Sequence, residues 1–377
     1  MAHPSVRHGA GLLVWLACAC ALAPPPPVVP AWNQAGVRIV VEDDERALWA
    51  DAARDLEKLA EADALLEDED LTRYLDGVLT ALRPRALPAE MPPTRVRVLR
   101  SAERQAAAVA DGTVLVSTGF LAALADEAQL AAVFGHELAH LLARHTWIER
   151  RYRKLSDSTV QRMELSRAQE DEADRIGLGL MRNAGYEPRG MLEMLALIVD
   201  DDSAGRGPYP QFETHPFVPE RIRALRSQLP QAGAETGRRE TARYEAAVAD
   251  VLLVAAQLEL DAGHLDRARA AIERHLRLRP ESGRGYYLKA EHERRVARGG
   301  RLSPGARRAY ERAVELAPDD PDGLRALGFL CRESGEQERA RELFGHYLRV
   351  APEAPDRKLI ERYLRERGRQ EAGDVAP

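Results

Sequence analysis

The chain has 377 residues, enough for two domains or three, and its 45% hydrophobic and 30% charged composition supplies buried cores and excludes a disordered chain. A formal net charge of −6, from 54 Lys plus Arg against 60 Asp plus Glu, argues against a dedicated nucleic-acid binder. Three Cys exclude a disulfide-stapled scaffold, and aromatics at 5% leave the cores to Leu, Ala and Val.

Residues 1–23 read as a secretory signal: Arg7 precedes the apolar run GLLVWLACACALA, whose 13 residues fall short of the ~20 a membrane helix needs. Ala17, Ala19 and Ala21 suit ordinary signal cleavage, while Ala17-Cys18-Ala19-Cys20 is the competing pattern, with Cys20 lipidated. Either way the chain is expected to be exported, to the periplasm or the outer membrane, and without an internal disulfide. Residues 24–36 are Pro-rich and read as a stiff linker. No later stretch is apolar enough to cross a membrane.

Residues 37–230 carry the chemistry. The pattern from Glu42 to Arg83 is mostly helical, and Pro84 to Pro93 is a loop. Thr94 to Leu99 alternates polar and apolar, which predicts a strand; Asp111-Gly112 is a turn, and Thr113 to Ser117 a second strand. A long helix is predicted from Asp126 to His145.

That helix contains His136-Glu137-Leu138-Ala139-His140. Positions i and i+4 differ by about 40° around a helix, so both imidazoles project from one face and can hold one Zn²⁺. Glu137 beside them can accept a proton from water activated there. Leu130, Val133, Phe134, Leu138, Leu141 and Leu142 make the helix apolar nearly all round, so it is expected to be buried, and buried imidazoles need partners. His145, about 180° from His136 on the same wheel, is expected at the surface.

A catalytic zinc takes three protein ligands and keeps one position open. In the next predicted helix, SRAQEDEADRIGLGLMRNAGY, Glu170 and Glu172 compete for the third place. Glu170 shares a face with Asp174, and Glu172 lies about 200° away. Glu170 as ligand with Asp174 supporting His136 satisfies both needs within one helical turn. Small Ala173 and Gly177 let this helix approach the first closely.

HExxH followed by EDEADRIG resembles the zinc metallopeptidases that include the HtpX heat-shock proteases and the CAAX prenyl proteases. TVLVSTGFL before the first helix, AGYEPRGM after the second, and Thr214-His215-Pro216 with Arg221 extend the likeness over about Leu71 to Leu229. The resemblance implies a zincin-like fold, mostly α with a small β-sheet. It implies one Zn²⁺ per chain on His136, His140 and Glu170, Glu137 as catalytic base, and Asp174 as the orienting carboxylate. It places His215 near the metal as a catalytic residue, a removable fourth ligand or a structural one. Thr113, Val114, Leu115, Val116 and Ser117 would be the edge strand that pairs with substrate. The chain departs from the family at QAAAVADG, where an Asn-containing NAFA-like string is usual, and in the short spacing of thirty positions between His140 and Glu170. The membrane helices of those proteases are absent.

After a polar linker, 231–242, residues 243–366 repeat and 367–377 form a flexible tail. Ala268, Ala306 and Ala340 recur at spacings of 38 and 34, each followed after 12 residues by Pro280, Pro318 or Pro352. Ile272, Tyr310 and Phe344 stand four residues beyond each Ala. This is the tetratricopeptide pattern, an all-α solenoid that offers a concave surface to a protein partner. An exported peptidase with such repeats resembles the periplasmic assembly-enhancing proteases, which implies degradation of unfolded or misassembled envelope proteins. The rival expectation is a non-catalytic repeat scaffold with an idle zinc domain, against which an intact Glu137 argues.

Overall fold

The computed structural model describes Pro26 and residues 29–156, 158–199, 217–229, 236–297 and 303–365. The chain is mostly helical with one four-stranded sheet and a C-terminal array of paired helices. The signal region, Cys20 and the tail lie outside the described residues. Among the described residues no helix is long and apolar enough to cross a membrane.

Helix α1 (Asp43–Glu61) is followed by a two-residue strand β1 (Leu65–Leu66) and helix α2 (Glu69–Leu82). The Asp68 carboxylate accepts from the Leu71 N–H at 2.9 Å and starts α2, a cap worth about 1 kcal/mol. Leu71, Leu75, Val78, Leu79 and Leu82 recur at helical spacing and are buried. Strands β2 (Arg95–Leu99), β3 (Ala106–Ala108) and β4 (Thr113–Ser117) complete a sheet in the order β1-β2-β4-β3. Gly112, at φ +93°, makes the turn into β4; a Cβ there would lie 2.5 Å from the Pro93 carbonyl oxygen.

The edge-strand expectation for Thr113, Val114, Leu115, Val116 and Ser117 is corrected here. β4 pairs in parallel with β2, from Arg95↔Thr113 to Leu99↔Ser117, and antiparallel with β3, from Ala106↔Val116 to Ala108↔Val114. Both of its edges are therefore used, and all five residues are buried. Among the described residues the sheet ends in β1 on one side and in β3 on the other, and β3 is three alanines with weak strand preference and no alternation to reveal them in sequence.

Helix α3 (Thr118–Ala123) leads into α4 (Glu127–Ala143), whose N-terminus is capped by Asp126 accepting from the Gln129 N–H at 3.0 Å. Every residue of α4 is buried, as its apolar circumference predicts. The helix stops at Arg144, which has φ +61°, and α5 (His145–Leu155) begins in a new direction. A left-handed non-glycine residue costs about 1–2 kcal/mol. Arg144 is held there by a buried ion pair with Glu45, Nε to Oε1 2.8 Å, and lies between the rings of Trp32 and Trp147. Trp32 belongs to the stretch expected to be a linker, yet it is buried and its N–H donates to the Leu142 carbonyl at 2.8 Å.

Helices α6 (Thr159–Asn183), α7 (Gly190–Val199) and α8 (Val218–Gln228) pack on or beside α4. The chain then enters α9 (Thr241–Val248), α10 (Val251–Ala262), α11 (Leu265–Leu278), α12 (Gly283–Val296), α13 (Pro304–Leu316), α14 (Pro321–Glu333), α15 (Gln337–Val350) and α16 (Arg357–Arg365). From α10 to α15 these pair as the repeats require. Ala268, Ala306 and Ala340 are buried at the helix crossings, with Ile272, Tyr310 and Phe344 beside them. Ile360 of α16 is buried against the last pair, and its Arg residues face outward.

The described part of the expected linker is pinned. Arg238 donates its N–H to the Gly185 carbonyl, and Arg239 bridges Asp126 and Glu193. Tyr244, Val248 and Val251 join the same hydrophobic core as α2 and α4. The Tyr244 hydroxyl donates to the Leu121 carbonyl at 2.6 Å, and Arg274 of α11 donates to that of Leu124 at 2.7 Å. The first repeat helices are thus wedged against the half that contains α2 and α4.

Candidate metal centre

The two imidazoles come from one turn of α4 and the third group from α6. Their side chains converge as the sequence predicts: Nε2 of His136 and Nε2 of His140 are 3.1 Å apart, and the Glu170 carboxylate lies 3.5 Å from the first and 3.6 Å from the second. Among the described residues this is the one group of His, Cys, Asp and Glu with the closeness a shared ion needs. Tetrahedral zinc with bonds of about 2.0–2.1 Å sets ligand-to-ligand edges of roughly 3.4 Å. The observed triangle fits that size.

Charge fits as well. Glu137, Glu170, Asp174 and Arg221 are each at most 4% exposed. Three carboxylates against one guanidinium leave a formal excess of two negative charges, which a divalent cation balances.

The close approach of α4 and α6 depends on glycine. A Cβ on Gly177 would stand 3.0 Å from the Gly135 carbonyl carbon and from the His136 nitrogen, so the backbones themselves are in contact. Gly177→Val is expected to part the helices by a few tenths of an ångström and to weaken zinc binding at least about tenfold. Chelator competition measures it, and an unchanged affinity would show the triangle does not depend on this crossing.

Asp174 stands one turn beyond Glu170 and takes a bond from His136: Nδ1 donates to Oδ1 at 3.0 Å, leaving Nε2 to face the other two groups. Arg221 of α8 fastens this arrangement. Its Nε donates to Asp174 Oδ2 at 2.8 Å, its Nη2 to Oδ1 at 2.7 Å, and its Nη1 lies 2.7 Å from Glu170 Oε2. Burial alone would raise the Asp174 pKa, but the Arg221 guanidinium and the His136 N–H together hold the carboxyl below its usual range. Arg221 is 2% exposed. In the sequence its one signal is its spacing, six residues after His215, which belongs to the resemblance and implies no role.

His145 stands elsewhere than the helical wheel expects. It is buried, 3% exposed, not at the surface. The helical wheel was extended through Arg144, where the helix in fact ends, and the new direction of α5 returns the imidazole towards His140. The two Nδ1 atoms are 2.9 Å apart, and His145 Nε2 lies 3.4 Å from Glu172. Glu172, the rival for the third ligand place, therefore turns away from the triangle. Burial pushes the His145 pKa down, with Glu172 opposing. His215 lies outside the described residues.

Beside His136 and Glu137 a pocket is lined by Ala106 of the edge strand, Phe120, Val133, Met194 and Ile198. Arg104 and Arg221 line it as well.

Peptidase family M48 matches residues 67–161 and 155–229, and YpiA-like C-terminal tetratricopeptide repeats match residues 303–354. A putative beta-barrel assembly-enhancing protease of Vibrio cholerae is 23% identical over 219 residues, covering 50% of this chain and 45% of that protein. The beta-barrel assembly-enhancing protease of Escherichia coli K12 is 23% identical over 198 residues, 44% of this chain and 40% of the relative. Mitochondrial metalloendopeptidase OMA1 of Arabidopsis thaliana is 35% identical over 97 residues, 21% of this chain and 20% of the relative. The chain thus matches less than half the length of each of these relatives. Its residues 67–229 are a domain of peptidase family M48, and tetratricopeptide repeats follow it.

Proposed function

We propose that the chain is a zinc-dependent metalloendopeptidase, with His136, His140 and Glu170 holding the ion and Glu137 acting as general base. The observation that carries this is the 3.1–3.6 Å triangle of buried ligand atoms, drawn from two helices and set beside a buried Glu137. A bound zinc ion polarises the scissile carbonyl and lowers the pKa of water. Glu137 takes the proton of the attacking water and passes it to the leaving amine nitrogen. Asp174 and Arg221 keep His136 in the tautomer that presents Nε2.

The outer edge of β3, in place of β4, is positioned to add an extended peptide by backbone hydrogen bonds that do not read side chains. Broad specificity towards unfolded protein follows, with the Phe120, Val133 and Met194 pocket receiving an apolar side chain. Two relatives are named as beta-barrel assembly-enhancing proteases, which supports a role in protein assembly, and on that footing we assign the chain to misassembled envelope proteins. The repeats would hold a protein partner, with export as the route.

Casein cleavage by purified protein tests the reading. Chelation is expected to abolish it and added zinc to restore it, with about one zinc per chain by elemental analysis. Zinc-loaded, folded protein that leaves casein uncut would favour the scaffold alternative.

A further inference from the structure

We propose that His145 is a positioning residue for the metal ligand His140, accepting the proton on its Nδ1 while the Glu172 carboxylate anchors the far side of the His145 ring. The proposal rests on the metal-site reading above and assigns the support of the second imidazole.

Nε2 of His140 faces Nε2 of His136 and the Glu170 carboxylate, so it must present a lone pair to the shared centre. A neutral imidazole carries its one proton on the other nitrogen. That Nδ1 lies 2.9 Å from Nδ1 of His145, a distance at which one nitrogen donates and the other accepts. His145 is therefore the acceptor, and its own proton sits on Nε2. There Glu172 Oε2 receives it at 3.4 Å. The order of protons along Glu172, His145 and His140 is settled by the requirement at the metal end alone. The rings of His140 and His145 meet edge to face, with centroids 4.8 Å apart at 78°, so the contact also limits rotation of the ligand ring.

The two ligands are thus backed differently. His136 leans on a carboxylate already clamped by Arg221. A carboxylate behind His140 would add a further buried negative charge to the three already present. A neutral imidazole accepts the same proton without that charge, and the carboxylate of Glu172 stands one ring farther out, half-exposed to solvent. The left-handed Arg144 makes this possible, because a continuous helix would carry position 145 away from position 140.

The test is zinc affinity by chelator competition at one fixed pH, on full-length wild type, His145→Leu, His145→Asn and Glu172→Ala. Thermal unfolding of the metal-free proteins runs alongside. Asn places its carbonyl oxygen near the site of Nδ1 and can accept the same proton; Leu cannot. His145→Leu is expected to bind zinc about 10–100-fold more weakly, and His145→Asn within about threefold of wild type. Glu172→Ala, at a half-exposed position that any folded protein tolerates, is expected to lose about three- to tenfold. Wild-type zinc affinity in the Leu variant would overturn the proposal. So would an Asn variant as weak as Leu, or a Glu172→Ala protein indistinguishable from wild type. Wild-type protein that fails to bind zinc would instead sink the metal-site reading itself.

Discussion

Replacing Glu137 by Gln is expected to lower casein cleavage about 10³-fold while zinc stoichiometry stays at the wild-type value. General-base groups contribute typically 10²–10⁴-fold to such reactions, and the amide cannot take a proton from water. Glu137 is next to His136 in sequence, yet it is absent from the triangle of ligand atoms, so its removal should not empty the site. The side chains have nearly the same shape, so the buried surroundings of Glu137 need not repack. The pairing of the two readouts is what gives the result meaning. Full activity in the variant would remove the base from the mechanism. Lost zinc would show that Glu137 holds the metal and does not act on water.

Arg221→Met is expected to destabilise the metal-free protein by about 3–5 kcal/mol, a fall in Tm on the order of 10 °C. The substitution keeps the bulk of the side chain but leaves the Asp174 and Glu170 carboxylates without their guanidinium in a site at most 4% exposed. Breaking one partner of a buried pair is costly because the surviving charge stays desolvated. A bound dication also offsets Glu170, so the loss should be smaller in zinc-loaded protein than in chelated protein. Equal losses with and without zinc would mean that Arg221 supports α8 alone and has no electrostatic link to the metal ligands.

Much of the candidate site was legible in the chain. The i and i+4 rule put His136 and His140 on one face, and the same rule paired Glu170 with Asp174 and set Glu172 aside. Those inferences held because each stays within a turn or two of one regular helix, where geometry follows from spacing. The repeats were readable for a related reason: Ala268, Ala306 and Ala340 each serve a contact made within one repeat or with its neighbour, so the pattern returns with the chain.

The misreadings fall where that locality fails. The wheel carried His145 to the surface because nothing in the string of side chains announces that Arg144 breaks the helix. Arg144 does so because Glu45 and Trp32, brought from distant stretches, and Trp147, three residues on, hold it in a left-handed conformation. The resemblance implies an open edge at β4, and alternation and β-branching, which report strand preference but not neighbours, offer no check; the strand that covers it is three alanines. Composition places Trp32 and residues 236–242 in linkers, yet Trp32 is buried and Arg238 and Arg239 are tied down by partners far along the chain.

The amino-acid sequence by itself determined which candidate groups stand together and which helical faces present them, since those depend on residue type and short-range periodicity. Which side chains back the two imidazoles, which strand lies open, and how the repeats lock against the peptidase half were decided by the tertiary structure alone. Those contacts cross between separate elements, and their energies come from desolvation and close packing that no local pattern encodes.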